Sequence, residues 1–404
     1  MKLELQFLII ILLLFSLSCS EKSVTPPDEE RPPGYQEDIP WPSLADTPWP
    51  MNNADPQNTG RSEYANNITG IIESVLPARY TRSGISINHD SSFVFLTSDS
   101  LKSISFNGEL RFAYKIGGQS LVTPLIDSDG KIYTASSIKR ELYQFDNKGN
   151  LIYTFKLDGS LVAPLLNIDK DGTIYCIDEI KNLYALSPEG YIKWKIHMPG
   201  ANPYSFGISF SPNGKTIYIP GESSTLIAFD TQDKMILWEY GTVKMSNAPV
   251  VDSDGNIYLL PKYEKGDNSQ FICLKPDGVI KWAYPFINNG NSLFNSNSPT
   301  IDKKGNIYFA TDSLFALDFN GSLRWKKGLK GFSDSHLISD INSDIVVGTM
   351  GIEGFKISIA CFTSEGSMKW EFIESQNQVG GSPAIGFGRI VYPSWRGSKL
   401  YIIK

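Results

Sequence analysis

Residues 160–196, SLVAPLLNIDKDGTIYCIDEIKNLYALSPEGYIKWKI, decide the fold of this chain. This stretch contains four short segments with the apolar pattern of β-strands, separated by turn residues at 169–172 and 188–190. A single four-stranded sheet of this kind cannot bury both of its faces. Similar units recur about every 40 residues from residue 80 onward, and copies stacked around an axis bury their faces against one another. The repeat therefore predicts a β-propeller.

Two recurring sequence features mark the repeats and allow them to be counted. The first is the hairpin turn between strands one and two, which is followed closely by Ile-Tyr and occurs at residues 127–130, 169–172, 211–214, 252–255 and 302–305. The second is a glycine four residues before a bulky aromatic ring, as in Gly190 and Trp194. Together they mark seven units, near residues 81–116, 119–157, 160–198, 201–240, 242–286, 292–328 and 332–373.

The two ends of the repeat region combine into an eighth unit. Residues 379–404 supply three strands, and residues 70–76 (GIIESVL) have the pattern of a closing strand with no partner before it. Pairing these segments closes the ring and leaves no open edge between blades. We therefore predict an all-β fold: an eight-bladed β-propeller of four-stranded antiparallel blades, closed by an N-terminal strand.

Composition agrees with one large β domain. The chain has 404 residues, 41% of them hydrophobic and 12% aromatic, and its formal net charge is −6. A closed array of repeats is one cooperative unit, so length alone does not argue for two domains. The absence of a basic run in the sequence argues against nucleic acid as a partner.

Residues 1–19 have the features of a targeting segment. Lys2 is followed by nine apolar residues at 7–15, a run too short to span a bilayer, and by small residues before Cys19. The segment resembles a bacterial lipoprotein signal, although Ser16 occupies a position that is usually Leu. The resemblance implies that Cys19 is lipidated and attaches the mature chain to a membrane. An ordinary secretory signal cleaved near Cys19 is the alternative.

The domain boundaries follow from composition. Residues 20–48 are rich in Pro, Glu and Asp and are predicted to form a disordered tether, so the propeller is predicted to span residues 49–404. Three further cysteines, Cys176, Cys273 and Cys361, lie among apolar strand residues of three different repeats. This setting favours buried, unpaired thiols over disulfides or metal ligands.

The Gly-x-x-x-Trp ending of the repeats, the third strand LYAL at 183–186 and the leader WPMNNADPQNTGRS at 49–62 resemble the pyrroloquinoline-quinone-like β-propeller superfamily. The resemblance covers about 355 residues. It implies that the aromatic rings dock each blade onto the next. The docking residues are then Trp194, Trp238, Trp282, Trp325 and Trp370, with Tyr153 and Phe112 as weaker substitutes. Repetition in every blade favours this packing role over a cofactor box or sugar platform.

The same superfamily contains quinoprotein dehydrogenases, whose motifs are not found in this sequence. Those enzymes are longer, carry an adjacent Cys-Cys pair over the cofactor, and hold Ca²⁺ beside a catalytic Asp. The three histidines, His89, His197 and His336, lie in separate repeats without a metal-binding motif. The Asp-x-Asp-Gly turns lack the remaining ligands of a calcium loop and are better explained as hairpin turns. We therefore predict no catalytic residue, cofactor or metal.

Loops joining strand four to the next strand one, and strand two to strand three, share one face of a propeller. In this chain they are rich in Asn, Ser and Gln with interspersed aromatic residues. Such surfaces suit protein or glycan recognition, although turns also favour these residues. The candidate binding face comprises Tyr204, Lys244, Asn247, Tyr263, Phe294, Asn295, Asn297, Phe332, His336 and Gln378.

The sequence favours a non-catalytic, monomeric propeller anchored by lipid in the bacterial cell envelope, where it acts as a scaffold for a protein partner. Size, anchor and fold resemble the lipoprotein propellers of outer-membrane barrel assembly, which implies an outer-membrane location on the periplasmic or surface side. Two alternatives remain open, namely a quinone-dependent oxidoreductase and a cell-surface glycan-binding protein.

Overall fold

The structure is a computed structural model. It describes residues 31–64, 68–78, 83–118, 120–163, 166–261, 268–287, 297–333, 335–351, 357–374, 381–394 and 398–404. Within these ranges the secondary structure consists of strands, and no helix has the length and apolar character needed to cross a membrane.

The described residues form 33 strands. In the first half of the chain the strands are β1 Ile72–Pro77, β2 Ser86–Ile87, β3 Ser92–Leu96, β4 Ser100–Ser105, β5 Leu110–Lys115, β6 Leu125–Ile126, β7 Ile132–Ser136, β8 Glu141–Phe145, β9 Leu151–Lys156, β10 Asn167–Ile168, β11 Ile174–Ile177, β12 Asn182–Leu186, β13 Ile192–His197, β14 Ser209–Phe210, β15 Thr216–Pro220, β16 Leu226–Asp230 and β17 Met235–Tyr240. In the second half they are β18 Val250–Val251, β19 Ile257–Leu259, β20 Asn268–Leu274, β21 Ile280–Ile287, β22 Thr300–Ile301, β23 Ile307–Ala310, β24 Ser313–Leu317, β25 Leu323–Gly328, β26 Phe332–Ser333, β27 Ile338–Ser339, β28 Ile345–Met350, β29 Ile357–Phe362, β30 Met368–Glu374, β31 Ala384–Gly386, β32 Arg389–Ser394 and β33 Lys399–Ile403.

These strands make eight antiparallel blades. Strands β2–β5 form blade 1, and each following set of four forms the next blade as far as β22–β25 in blade 6. Blade 7 contains β26–β30, and its two short inner strands, β26 and β27, both pair with β28. In blade 8 the order is β1-β33-β32-β31, so the N-terminal strand completes the sheet made by the C-terminus. The predicted eight-bladed propeller and its closure are confirmed.

The repeated hairpin turn is built by its first aspartate. In blade 3, Asp169 Oδ1 accepts hydrogen bonds from the backbone N–H groups of Asp171 (2.9 Å) and Thr173 (2.8 Å), and Oδ2 accepts from the Tyr175 hydroxyl (3.0 Å). Gly172 supplies the positive φ of 84° that the turn requires. Asp127, Asp252 and Asp302 make the same three bonds. The carboxylates are therefore occupied by protein donors, as a hairpin turn requires.

The Gly-x-x-x-Trp landmark records a contact between blades. Gly321 in blade 6 has a φ of 82°, and a Cβ at this position would lie 2.5 Å from the ring of Trp282 in blade 5. The Trp282 indole N–H donates to the Phe319 carbonyl at 3.1 Å. The same arrangement joins Trp238 to Gly278, Trp325 to Gly366 and Trp370 to Gly70. The glycine therefore makes room for the ring of the preceding blade.

The outer strand of every blade carries a bulge. In blade 3, Trp194 pairs with Ala185 and Ile192 pairs with Leu186, which leaves Lys193 as the extra residue. The equivalent irregularity occurs in the other seven blades. A bulge interrupts the regular ladder that a foreign strand would need, so it protects the exposed edge from aggregation.

Residues 34–48 lie on the propeller, so the predicted start of the domain at residue 49 is wrong. The compact unit begins at Gly34. The Trp41 indole N–H donates to the Ile168 carbonyl (3.0 Å), and Ala45 N–H donates to Ile126 O (3.1 Å). The Pro-rich and acidic composition of this segment suggested disorder, but Trp41, Leu44 and Ala45 pack against buried side chains of the blades. Disorder remains a prediction for residues 20–33 alone.

Residues 49–62, here called the collar, run around the inside of the channel. Backbone carbonyls of the collar accept hydrogen bonds from the innermost strands in the order of the blades: Trp49 from Ile87 (2.7 Å), Pro50 from Ile126 (2.9 Å), Pro56 from Phe210 (2.8 Å), Gln57 from Val251 (2.9 Å), Thr59 from Ile301 (3.2 Å) and Gly60 from Ser339 (2.8 Å). The Asn167 side chain of blade 3 also donates to Pro56 O at 3.0 Å. The collar therefore satisfies inner-edge N–H groups that the blades leave unpaired.

Asn52 joins three blades from the centre of the collar. Its amide N–H donates to Phe206 O (3.1 Å), just before blade 4. Its amide oxygen accepts from the hydroxyl groups of Thr123 (3.2 Å), before blade 2, and Ser382 (2.8 Å), before blade 8. The side chain is buried, so each of these bonds replaces water that has been excluded.

Replacing Asn52 with Ala is expected to lower the free energy of unfolding by about 2–3 kcal/mol, because three buried partners lose their bonds. Urea denaturation followed by circular dichroism measures the change. The matched control is Asn53→Gly, which removes an equally buried amide that has no partner among the described residues. Glycine accepts the φ of 53° found there, so the control should stay within about 1 kcal/mol of the wild type. Equal losses in both variants would contradict the role assigned to Asn52.

Replacing Trp282 with Ala is expected to cost about 3 kcal/mol, because the ring and its indole bond connect blades 5 and 6. Tyr191→Ala, on an exposed ring in blade 3, is the control and should change stability by less than about 0.5 kcal/mol. A melting temperature of Trp282→Ala equal to that of the control would show that the ring does not connect the blades.

Candidate functional site

The propeller has two different faces. The turns between strands one and two lie on one of them, here called the turn face, and residues 34–48 pack there: Ser128 N–H donates to Ser43 O (2.8 Å), and Gln36 N–H donates to Lys303 O (2.9 Å). The opposite face, here called the loop face, carries the connections between strands two and three and between successive blades. Among the described candidate binding residues, Tyr204, Lys244, Asn247, Asn297 and His336 belong to connections on the loop face, and Phe332 begins the short strand β26.

The structure separates these candidates into three groups. Tyr204 and Lys244 are exposed, and Phe332 is half-buried in β26. Asn247, Asn297 and His336 are buried, with at most 3% of their surface exposed. The remaining four, Tyr263, Phe294, Asn295 and Gln378, lie outside the described residues.

The buried asparagines bond backbone carbonyls inside the propeller. The Asn247 amide donates to Asn297 O at 2.6 Å, and the Asn297 amide donates to Ala310 O at 2.8 Å. Asn202 makes the same kind of bond to Met245 O at 2.7 Å, one blade earlier. Asn202 and Asn247 therefore bond the connection before the next blade, whereas Asn297 bonds the second strand of its own blade, and none of the three faces solvent. The prediction that Asn247 and Asn297 contact a partner is therefore wrong in this structure.

His336 lies inside the channel. It precedes blade 7, yet its ring centre is 6.0 Å from that of Phe206, which precedes blade 4. Its Nδ1 accepts a hydrogen bond from Ser298 N–H at 3.2 Å. Burial lowers the pKa of His336 to about 4, so the ring is neutral near pH 7. His336 and Phe206 occupy the channel on the loop side of Asn52, and a surface role for His336 is wrong.

Exposed apolar side chains follow the loop face from blade 2 to blade 5. Their exposed fractions are 74% for Ile138, 49% for Ile180, 57% for Tyr204 and 36% for Val243. We call these four residues the apolar arc. Tyr204 was predicted from the sequence, and the other three residues were not. The available signal was an isoleucine inside a polar turn, as in SSIKRE and DEIKN, where turn geometry does not require an aliphatic residue.

Basic residues border the apolar arc. Lys139 and Arg140 follow Ile138, Lys181 follows Ile180, and Lys244 follows Val243. Two of these amines are held by one carboxylate, since Glu222 pairs with Lys181 and with Lys244 (3.8 Å). The arc therefore combines apolar groups with a border of charged side chains.

No set of three or more His, Cys, Asp or Glu side chains in the described ranges is placed to hold a metal ion. Cys176, Cys273 and Cys361 are buried and unpaired in blades 3, 5 and 7, which confirms the prediction for these thiols. Burial raises the pKa of all three thiols well above the ordinary range, so they are protonated and unreactive.

Comparison with known proteins identifies relatives of this architecture. The family described as outer membrane protein assembly factor BamB matches residues 181–383, half of the chain. No curated protein sequence matches significantly.

Three solved structures share the fold at 12% sequence identity. BamB from Moraxella catarrhalis has a TM-score of 0.63 and matches 83% of this chain and 99% of its own. A europium-containing methanol dehydrogenase has a TM-score of 0.66, with 85% and 88% covered. The quinohemoprotein alcohol dehydrogenase from Comamonas testosteroni has a TM-score of 0.68, with 89% and 81% covered. At this identity the three likenesses establish the fold alone.

Acid is expected to destabilise the protein through His336. Its pKa is about 4 when folded and about 6.5 when unfolded, so the unfolded state binds more protons below pH 6.5. The contribution of the neutral His336 ring to the free energy of unfolding is complete above pH 6.5, and it decreases by about 1.5 kcal/mol between pH 6.5 and pH 5. Urea unfolding of the wild type and of His336→Gln at both pH values isolates it, because all other groups are shared. An identical pH dependence of the two proteins would contradict the buried, neutral histidine.

Proposed function

This chain belongs to the family described as outer membrane protein assembly factor BamB, within the pyrroloquinoline-quinone-like propeller superfamily, and we propose that it is a non-catalytic scaffold of the bacterial cell envelope. In this proposal the protein is anchored by lipid at Cys19 and binds a protein partner of outer-membrane assembly on its loop face. The observation that carries the proposal is the apolar arc.

The arc has the composition of a protein-binding surface. Single exposed aliphatic residues are common, but here Ile138, Ile180, Tyr204 and Val243 follow one another across neighbouring blades. Protein interfaces place apolar and aromatic anchors at the centre and polar groups at the rim. The charged side chains beside the arc supply such a polar rim.

The interior of the channel supports a scaffold over a quinone-dependent oxidoreductase. A flat cofactor on the propeller axis needs an open slot. Here Asn52 from the collar lies on the axis and bonds three blades, and Phe206 and His336 meet beside it. These side chains occupy the space with contacts that hold the ring together.

The chain enters the propeller on the side opposite the arc. Gln36 is bonded on the turn face, to the backbone of Lys303 and Ser253. The described part of the N-terminal segment therefore packs on the face opposite the arc.

Cross-linking in intact cells, followed by affinity capture of the full-length lipoprotein and mass spectrometry, tests the proposal. We expect the wild type to recover components of outer-membrane protein assembly. Ile180→Glu places a charge in the arc and should reduce this recovery at least about fivefold, about 1 kcal/mol of binding energy. The matched control is Ile192→Glu, on an equally exposed isoleucine of the outer strand in the same blade; it should bind as the wild type does.

Three results would count against the proposal. Equal recovery with Ile180→Glu and Ile192→Glu would exclude the arc as the binding surface. Dye-linked dehydrogenase activity after reconstitution with a quinone and Ca²⁺ would instead support the oxidoreductase, while labelling by a membrane-impermeant reagent without assembly partners would support a cell-surface binding protein.

A further inference from the structure

We infer that the hairpin turn at residues 340–344 of blade 7 holds a proton-binding site, and that this site makes the closure of the ring respond to pH. The closure seam is the contact between blade 7 and blade 8, the blade that joins the two ends of the chain. The site consists of Asp340, Asp344 and a small cavity that both residues line. It does not involve the apolar arc, so the inference is independent of the proposed function.

The turn of blade 7 lacks one side chain that completes the equivalent turns. Asp340 Oδ1 accepts from the backbone N–H groups of Asn342 and Asp344, both at 2.9 Å, as the equivalent oxygen does in blade 3. In blades 2, 3, 5 and 6, Oδ2 accepts the hydroxyl of a tyrosine six residues after the aspartate. In blade 7 this residue is Val346, which has no hydroxyl. Within the described residues, Asp340 Oδ2 accepts only from the Asn342 amide, at 3.4 Å.

A small cavity lies beside this turn. Its volume is about 10 Å³, enough for about one water molecule. The cavity is lined by residues of both blades: Asp340, Asp344, Val346 and Cys361 of blade 7, and Ile68 and Ile385 from the side of blade 8. It therefore lies in the closure seam, and it is too small to hydrate a charged carboxylate fully.

The charged groups around the cavity favour Asp340 as the proton acceptor. Asp344 is paired with Lys369 of β30 at 2.5 Å. Asp340 is only 2% exposed, and burial, followed by the charge of Asp344, raises the pKa of Asp340 to about 6. The backbone hydrogen bonds and the Lys369 charge act in the opposite direction. The Cys361 thiol stays neutral, because burial raises its pKa well above the ordinary range.

Protonation of Asp340 is expected to tighten the seam. Since Oδ1 already accepts two backbone bonds, the proton adds to Oδ2, where it removes the charge that repels Asp344. The protonated oxygen becomes a donor to the Asp344 carboxylate or to a water molecule in the cavity. The folded pKa of about 6 lies above the ordinary value of 3.8, so the folded state binds more protons between these pH values. Through this group stability rises as the pH falls from 7 toward 4, opposite to the effect of His336.

Carbon-13 NMR of the full chain, labelled at the aspartate carboxyl groups, tests the site directly. The Asp340 resonance is identified by its absence from Asp340→Asn, and it should titrate with a midpoint near pH 6. Val346→Thr adds a hydroxyl on the side where other blades have tyrosine, and it should lower the midpoint by about 1 pH unit. The matched control is Val347→Thr, on an equally buried valine that packs in the core between blades 6 and 7. It should leave the midpoint unchanged.

Urea unfolding at pH 7 and pH 5 tests the effect on stability. Asp340→Asn cannot take up the proton, so the ratio of its unfolding equilibrium constant to that of the wild type should rise about tenfold from pH 7 to pH 5. His336 is present in both proteins, so its own pH effect cancels. The matched control is Asp302→Asn in blade 6, which removes an acceptor for the Asn306 amide and the Tyr308 hydroxyl. This control should be less stable than the wild type at pH 7, whereas Asp340→Asn should not be.

Amide hydrogen exchange locates the effect in the seam. From pH 7 to pH 5, protection of β27 and β31 should increase more in the wild type than in Asp340→Asn, whereas β15 of blade 4 should behave alike in both proteins. Either of two results would overturn the inference: a midpoint of the Asp340 resonance below pH 5, or a ratio of the two unfolding constants that does not change with pH.

Discussion

The hydrogen bonds between the collar and the innermost strands hold this propeller together at its centre. The innermost strands of blades 1 to 7 pair over only two residues with their neighbours in the same sheet, and their inner edges would face an open channel. Collar carbonyls accept from these edges in blades 1, 2 and 4–7, and the Asn52 side chain reaches the start of blade 8. In an ordinary repeat array each unit contacts only its neighbours. Here one short segment connects blades that are not adjacent, so the stability of each blade depends on the whole ring.

The inner and outer edges of each sheet differ in their hydrogen-bond pairing. The inner edge is paired with the chain's own backbone, whereas the outer edge is left exposed and carries a bulge in every blade. Lys193, Lys281 and Arg324 occupy bulge positions, where their charges oppose pairing with another strand. In the proposed function, contact with a partner is made instead by side chains on loops, such as Ile138 and Ile180.

Repetition made the fold predictable from the sequence. The Asp-x-x-Gly turns, the following tyrosine and the Gly-x-x-x-Trp spacing each reflect a local bond or a fixed inter-blade contact, such as Trp282 against Gly321. Features without a repeat were not predictable. Residues 34–48 were predicted to be part of a tether because their average composition is polar. Composition does not reveal a single specific bond such as that of the Trp41 indole to the Ile168 carbonyl, which orders this segment. Asn247 and Asn297 lie in polar loops and were therefore predicted to be on the surface. A loop sequence of this kind does not distinguish an amide that bonds a backbone carbonyl inside the propeller from an amide that faces water.

The collar also fixes the order in which the molecule can be completed. Asn52 and its partner Ser382 are 330 positions apart, and β1 pairs with β33 at the other end of the chain. Synthesis begins at the N-terminus, so the collar and the closing strand leave the ribosome before any of their partners exist. Blades 1 to 7 consist of consecutive strands and can assemble as they emerge, but the first-made segment must wait until the last strands arrive. Such long-range contacts slow folding. A chain that stops before blade 8 therefore leaves both the beginning of the protein and its newest blade without partners.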